Sequence, residues 1–78
     1  MPKFYINFLD TGDQLAEDDD GFDFPSLEKA REAALASARE ILADNIKGKA
    51  GFPLKAVIIA DERGQELATI AASAILPQ

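Results

Sequence analysis

Histidine and cysteine are both missing from the 78 residues of this chain. Without histidine, the commonest general base at neutral pH and the commonest transition-metal ligand are gone. Without cysteine there is no thiol nucleophile, no disulfide framework and no thiolate zinc site. That absence agrees with a reducing compartment. Basic residues are scarce as well: eight Lys and Arg stand against fourteen Asp and Glu, for a net charge of −6. Nucleic-acid binders carry a basic patch; this chain offers none, so DNA or RNA binding is disfavoured. Long apolar runs are also lacking. The run from Phe4 to Leu9 is too short for a signal-peptide core, and no small-residue cleavage site follows it. Nothing approaches the ~20 apolar residues of a membrane span. We therefore expect a cytoplasmic protein with no membrane partner. No glycine-rich loop leads from a strand into a helix, so nucleotide binding has no support.

What is present is enough for a core. The hydrophobic fraction is 47%, too high for a disordered chain. The length fits one small domain over residues 1–78. A domain of this size buries only roughly 60% of its unfolded surface, so modest stability is expected unless it self-associates.

The stretch from Ser26 to Lys47 holds strong helix formers and neither glycine nor proline. Pro25 keeps Phe24 out of the helical region, and Ser26 is a good N-cap. At roughly 100° per residue, Leu27, Ala30, Ala34, Leu35, Ala38, Ile41, Leu42 and Ile46 form one apolar stripe. The alanines at its centre predict close approach to a sheet. Arg31 and Asn45 fall inside the stripe by angle; Arg31 is expected to lay its methylenes on the core edge and snorkel outward, and Asn45 to sit in the fraying last turn. Gly48, Gly51 and Pro53 are expected to end the helix.

The flanks read as strand and turn. Lys3 to Leu9 is a strand with Phe4, Ile6 and Phe8 on one face and Tyr5, Asn7 and Leu9 on the other. Asp10 to Asp13 is a turn, and Gln14 to Ala16 a short returning strand. Glu17 to Gly21 is a solvated acidic loop. Phe22-Asp23-Phe24 is extended, with both rings expected to pin the segment to the core. Leu54 to Ala60 is a nearly continuous apolar run, which suggests a central strand. Asp61 to Gly64 is a hairpin turn, and Gln65 to Ile70 the strand that returns from it. The tail from Ala71 reads either as more strand or as a short helical turn before Pro77. The order is β-β-α-β-β. This gives an α+β fold: an antiparallel sheet of about four strands with one long helix packed across one face. The other face has too few elements to cover it. Tyr5, Leu9 and alternate residues from Leu54 onward are candidates for exposure there, and an exposed apolar patch usually meets a partner.

Two short motifs invite chemistry. Ser26-Leu27-Glu28-Lys29 has the S-x-x-K spelling of serine acyl-enzymes, but the accompanying motifs are missing and the N-cap role accounts for Ser26. The acidic loop suggests calcium, yet placing Gly21 at the sixth position of an EF-hand puts Ala16 first and Leu27 twelfth. We assign no metal site and no cofactor. Glu17, Asp18 and Asp20 are the candidate oxygens for a weakly held divalent cation.

The chain resembles a family of short uncharacterised bacterial proteins, a domain of unknown function. The resemblance is carried by Met1-Pro2-Lys3-Phe4-Tyr5 at the start and by Asp10 and Gly12 after the first strand. It continues through the acidic-Gly stretch Asp20-Gly21 leading to Pro25-Ser26-Leu27, and through Asp61-Glu62-Arg63-Gly64 late in the chain. It covers nearly the whole sequence. It implies a small domain with no assigned activity. Members often carry His in the first strand where this chain has Asn7, so a role resting on that imidazole does not transfer.

These readings lead us to expect a non-enzymatic protein-interaction or regulatory domain, bound to a protein partner or to itself as a homodimer. Tyr5, Asn7, Leu9 and Arg31 are its candidate interaction residues. The alternative is a divalent-cation or small-ligand module using residues 17–21. An antitoxin-like or adaptor role is a third reading, by analogy of fold alone.

Overall fold

The computed structural model describes residues 2–46 and 53–75. In chain order these form β1 (Lys3–Asp10), β2 (Leu15–Ala16), β3 (Phe22–Asp23), α1 (Leu27–Ile46), β4 (Leu54–Ala60), β5 (Glu66–Ala71) and α2 (Ala72–Ile75). The expected α+β architecture is what the chain adopts, with five strands where about four were expected and a short second helix. Gly48 and Gly51, expected to end the helix, lie outside the described residues, as does Pro77 beyond the tail.

All pairings are antiparallel, in the order β2-β1-β4-β5, with β3 also on β1. The apolar run Leu54–Ala60 does occupy a central position, between β1 and β5. Register puts Phe8 opposite Val57 and Ile6 opposite Ile59, and β5 adds Ile70 beside Val57 and Ala68 beside Ile59. These side chains share one face. Val57 and Ile59 are wholly buried there, which stabilises the fold by roughly 1.5–3 kcal/mol for each.

Helix α1 covers that face with its alanine seam. Ala30, Ala34 and Ala38 have no exposed surface, and Leu42 continues the buried row. Small side chains let the helix backbone lie close to β-branched residues on the sheet. Ser26 caps the start: the Lys29 N–H donates to its Oγ at 3.2 Å. Ala72 and Ile75 of α2 close one end of the core.

The stripe is narrower than its angular count suggested. Leu27 is exposed in the first turn, and Leu35 and Ile41 are half-buried on the flanks. Arg31 is exposed, in keeping with the outward course expected of it. A single helix over a narrow sheet offers contact for about one residue per turn, and a position 100° from Ala30 already faces water. Phe22 also departs from expectation. It is 58% exposed, and its ring meets Phe24 at 6.3 Å between centroids. Phe24 alone reaches the core cluster, beside Phe4. Alternation alone would send these two residues to the same side, but β3 ends at Asp23 and Phe24 lies beyond it, while Phe22 sits at the sheet's margin opposite Phe4.

The two hairpin turns are built alike, more closely than their sequences suggest. Asp10 Oδ1 accepts from the Gly12 and Gln14 amides; Asp61 Oδ1 accepts from those of Arg63 and Gln65. The Asp13 and Gly64 amides each donate back to the aspartate carbonyl at 3.0 Å. The fourth residue is left-handed in both, Asp13 at φ 64° and Gly64 at φ 80°. Asp13 tolerates that region as Asn and Asp do, and its carboxylate pairs with Lys55 at 2.6 Å across the turn.

Candidate functional site

Alternation along β1 and β4 sends Tyr5, Asn7, Leu9, Ala56, Ile58 and Ala60 away from the helix. The pairs Tyr5–Ala60, Asn7–Ile58 and Leu9–Ala56 lie side by side. Among the described residues no helix packs on this face; both helices contribute to the core on the other. The result is an open groove of about 450 Å³. Tyr5, Ile58 and Ala60 line it, with Asn7 further along and Leu15 of β2 at its side.

The banks of the groove are acidic. Glu17, Asp18 and Asp19 line it from the loop between β2 and β3; Asp61, Glu62 and Glu66 line it from the β4–β5 hairpin. No lysine or arginine lines it among the described residues. Lys3 and Arg63 sit instead in a separate hollow with Pro2 and Phe4, sharing Asp61 and Glu62 with the groove.

Asp18 and Asn7 hold the first bank in place. Between its pairings with β3 and β2, β1 leaves part of its outer edge open, and an unpaired amide there needs a partner. The Ile6 N–H donates to Asp18 Oδ2 at 3.4 Å, while Asp18 Oδ1 accepts from Asp20 and Gly21. In return the Asp18 N–H donates to Asn7 Oδ1 at 2.8 Å. The loop is thus tied to β1 by a reciprocal pair of side-chain bonds. Gly21 completes it with φ 72°, close under Lys3 and Tyr5.

Of the sequence-predicted interaction residues, Tyr5 and Asn7 meet in the groove. Leu9 shares the face but lies beyond the groove, opposite Leu15. Arg31 does not join them. It belongs to α1, on the far side of the sheet, and nothing in the fold links it to this surface. The metal candidates are not gathered either. Asp18 is engaged with three amides, Asp20 does not line the groove, and no group of three acidic side chains suited to a metal occurs among the described residues. Sequence reasoning reached Ile58 and Ala60 only as alternate residues of the run from Leu54, without naming them, and missed Glu62 and Glu66 as the second bank. Ile58 was within reach, because alternate positions of the Leu54–Ala60 run had to face away from the helix. Glu62 and Glu66 were read only as turn and strand, since strand order is needed to bring them opposite the acidic loop.

Among the described residues no helix is long and apolar enough to cross a membrane. Neither a curated protein nor a solved structure matches the chain. A family model does match, over residues 3–73: the one described as a domain of unknown function, DUF6894. The expected resemblance to a family of unknown function therefore holds, and the chain belongs to the DUF6894 family.

Proposed function

We propose that this chain is a small non-enzymatic protein-interaction domain whose working surface is the uncovered face of its sheet. One observation carries the reading. The helix protects one face, while the other presents Tyr5, Leu15 and Ile58 in an open groove. Apolar surface left open on a domain this small costs stability that a partner restores. The groove lining supplies carboxylates, one amide and the Tyr5 phenol but neither histidine nor cysteine, which supports a binding role over catalysis. The test is affinity capture from native extract with the wild-type chain, Ile58→Arg and Ala36→Arg. Ile58 is half-buried on the open face, and Ala36 is exposed on the helix. A partner held by the wild type and Ala36→Arg but lost by Ile58→Arg is the expected outcome. A partner lost by Ala36→Arg alone would move the function to the helix.

Self-association has its own support, at a different place. Strand β5 pairs only with β4 among the described residues. Its six residues, Glu66–Ala71, include no lysine and no proline, the residues that commonly guard an edge strand. In this reading two copies join antiparallel along β5 and extend the sheet through a two-fold axis. The grooves do not face each other, because six carboxylates would then oppose six. Sedimentation equilibrium at micromolar concentration is expected to show a dimer, and Leu67→Lys to shift it to monomer. A monomeric wild type at high concentration would remove this part of the proposal.

A further inference from the structure

We infer that the groove takes a basic segment of another protein, an extended stretch with Lys or Arg on both sides of an apolar side chain; this rests on the open face being the working surface. The argument is charge complementarity over an apolar floor. Tyr5, Ile58 and Ala60 give that floor, and an apolar side chain of the partner is what it can desolvate. Carboxylates then stand on two sides of it. Asp18 and Asp61 are committed to backbone amides, Asp18 to those of Ile6 in β1 and Gly21 in its own loop, Asp61 to those of Arg63 and Gln65. Glu17, Asp19, Glu62 and Glu66 are not: among the described residues none of the four has an ion pair or a side-chain hydrogen bond. The two ion pairs among the described residues lie elsewhere, Lys29 with Glu32 on the helix and Lys55 with Asp13 at the first turn.

Two acidic banks across one groove repel each other, and low-dielectric walls concentrate their field. A cation placed between them relieves that repulsion and gains attraction from both. The same field sorts the possible occupants. A nucleic acid brings phosphates and is turned away. A second copy of this chain brings the same acidic groove and a net charge of −6. A small polyamine carries the charge but leaves the floor wet. A peptide alternating basic and apolar residues satisfies both parts: an apolar side chain meets the floor, and the long flexible stems of the Lys or Arg on either side of it bend to the flanking carboxylates.

The experiment is fluorescence anisotropy of a short labelled peptide alternating Lys and Leu, titrated with the full chain. Glu62→Lys with Glu66→Lys is compared with Glu40→Lys and Asp44→Lys on the helix, which changes the net charge equally. Circular dichroism checks that each variant is folded. Saturable binding is expected, weakened about tenfold or more by the groove pair and by less than about twofold by the helix pair. Spermine is expected to compete poorly. Equal losses from both pairs, or spermine competing as well as the peptide, would reduce the effect to bulk charge and overturn the inference. An Asp-Leu peptide that binds tightly and is lost in Ile58→Arg would overturn the basic specificity while leaving the open-face reading standing. If no peptide binds the wild type, the inference falls; the wider reading falls with it only if capture is also indifferent to Ile58→Arg.

Discussion

Gly21 and Gly64 share a left-handed backbone but not a neighbourhood. A Cβ at Gly64 would meet nothing within 4 Å, whereas one at Gly21 would stand 2.8 Å from Lys3 Cγ and 2.9 Å from Tyr5 Cε2. Gly64→Ala therefore carries conformational strain alone, of about 1–2 kcal/mol. Gly21→Ala carries a similar strain plus a clash with the groove's own Tyr5, and is expected to cost distinctly more in urea denaturation. Equal losses would mean that Lys3 and Tyr5 yield freely. The glycine at the second turn was legible in the sequence, because an acidic turn between two apolar runs asks for a positive φ. The crowding at Gly21 was not, because it depends on β3 pairing beside Lys3. Asp18 is a similar case. Its place in an acidic run suggested a cation, but the edge of β1 left an amide at Ile6 for it to satisfy.

At the scale of the elements, the helix was the most legible part and its seam the most consequential. Ala30, Ala34 and Ala38 recur every four residues, and each is wholly buried. Ala34→Leu forces a larger side chain between α1 and the sheet, with an expected loss of about 1–3 kcal/mol. Ala36→Leu, on the exposed side, is expected to stay within about 0.5 kcal/mol. Thermal unfolding of the two variants separates close packing from helix propensity, since leucine forms helices well at both sites. Arg31 falls inside the stripe by angle yet is exposed, in keeping with the outward course expected of its side chain; angular position alone does not say how wide a stripe a narrow sheet can cover. The two-residue strands β2 and β3 were read as short strand and extended chain. Their pairing with opposite ends of β1 follows from long-range register, which periodicity does not encode.

For the whole molecule, the decisive fact is asymmetry. The long helix and the bulk of the apolar side chains serve one face of the sheet, and the other is left with a groove between two acidic segments far apart in sequence. The fold class was legible because each element carries its own signal in composition and turn chemistry. The groove was half legible, through Tyr5, Asn7 and the alternation along the central strand. Its second bank needed the order β2-β1-β4-β5, which only the assembled sheet supplies. The claim that function lies on this face is tested most directly by the amide spectrum of the chain titrated with the Lys-Leu peptide. The amides of Tyr5, Asn7, Ile58 and Glu62 are expected to shift and saturate together, while those of Arg31, Arg39 and Glu40 on the helix stay in place. Shifts confined to the helix, with the β1 and β4 amides unmoved, would contradict it.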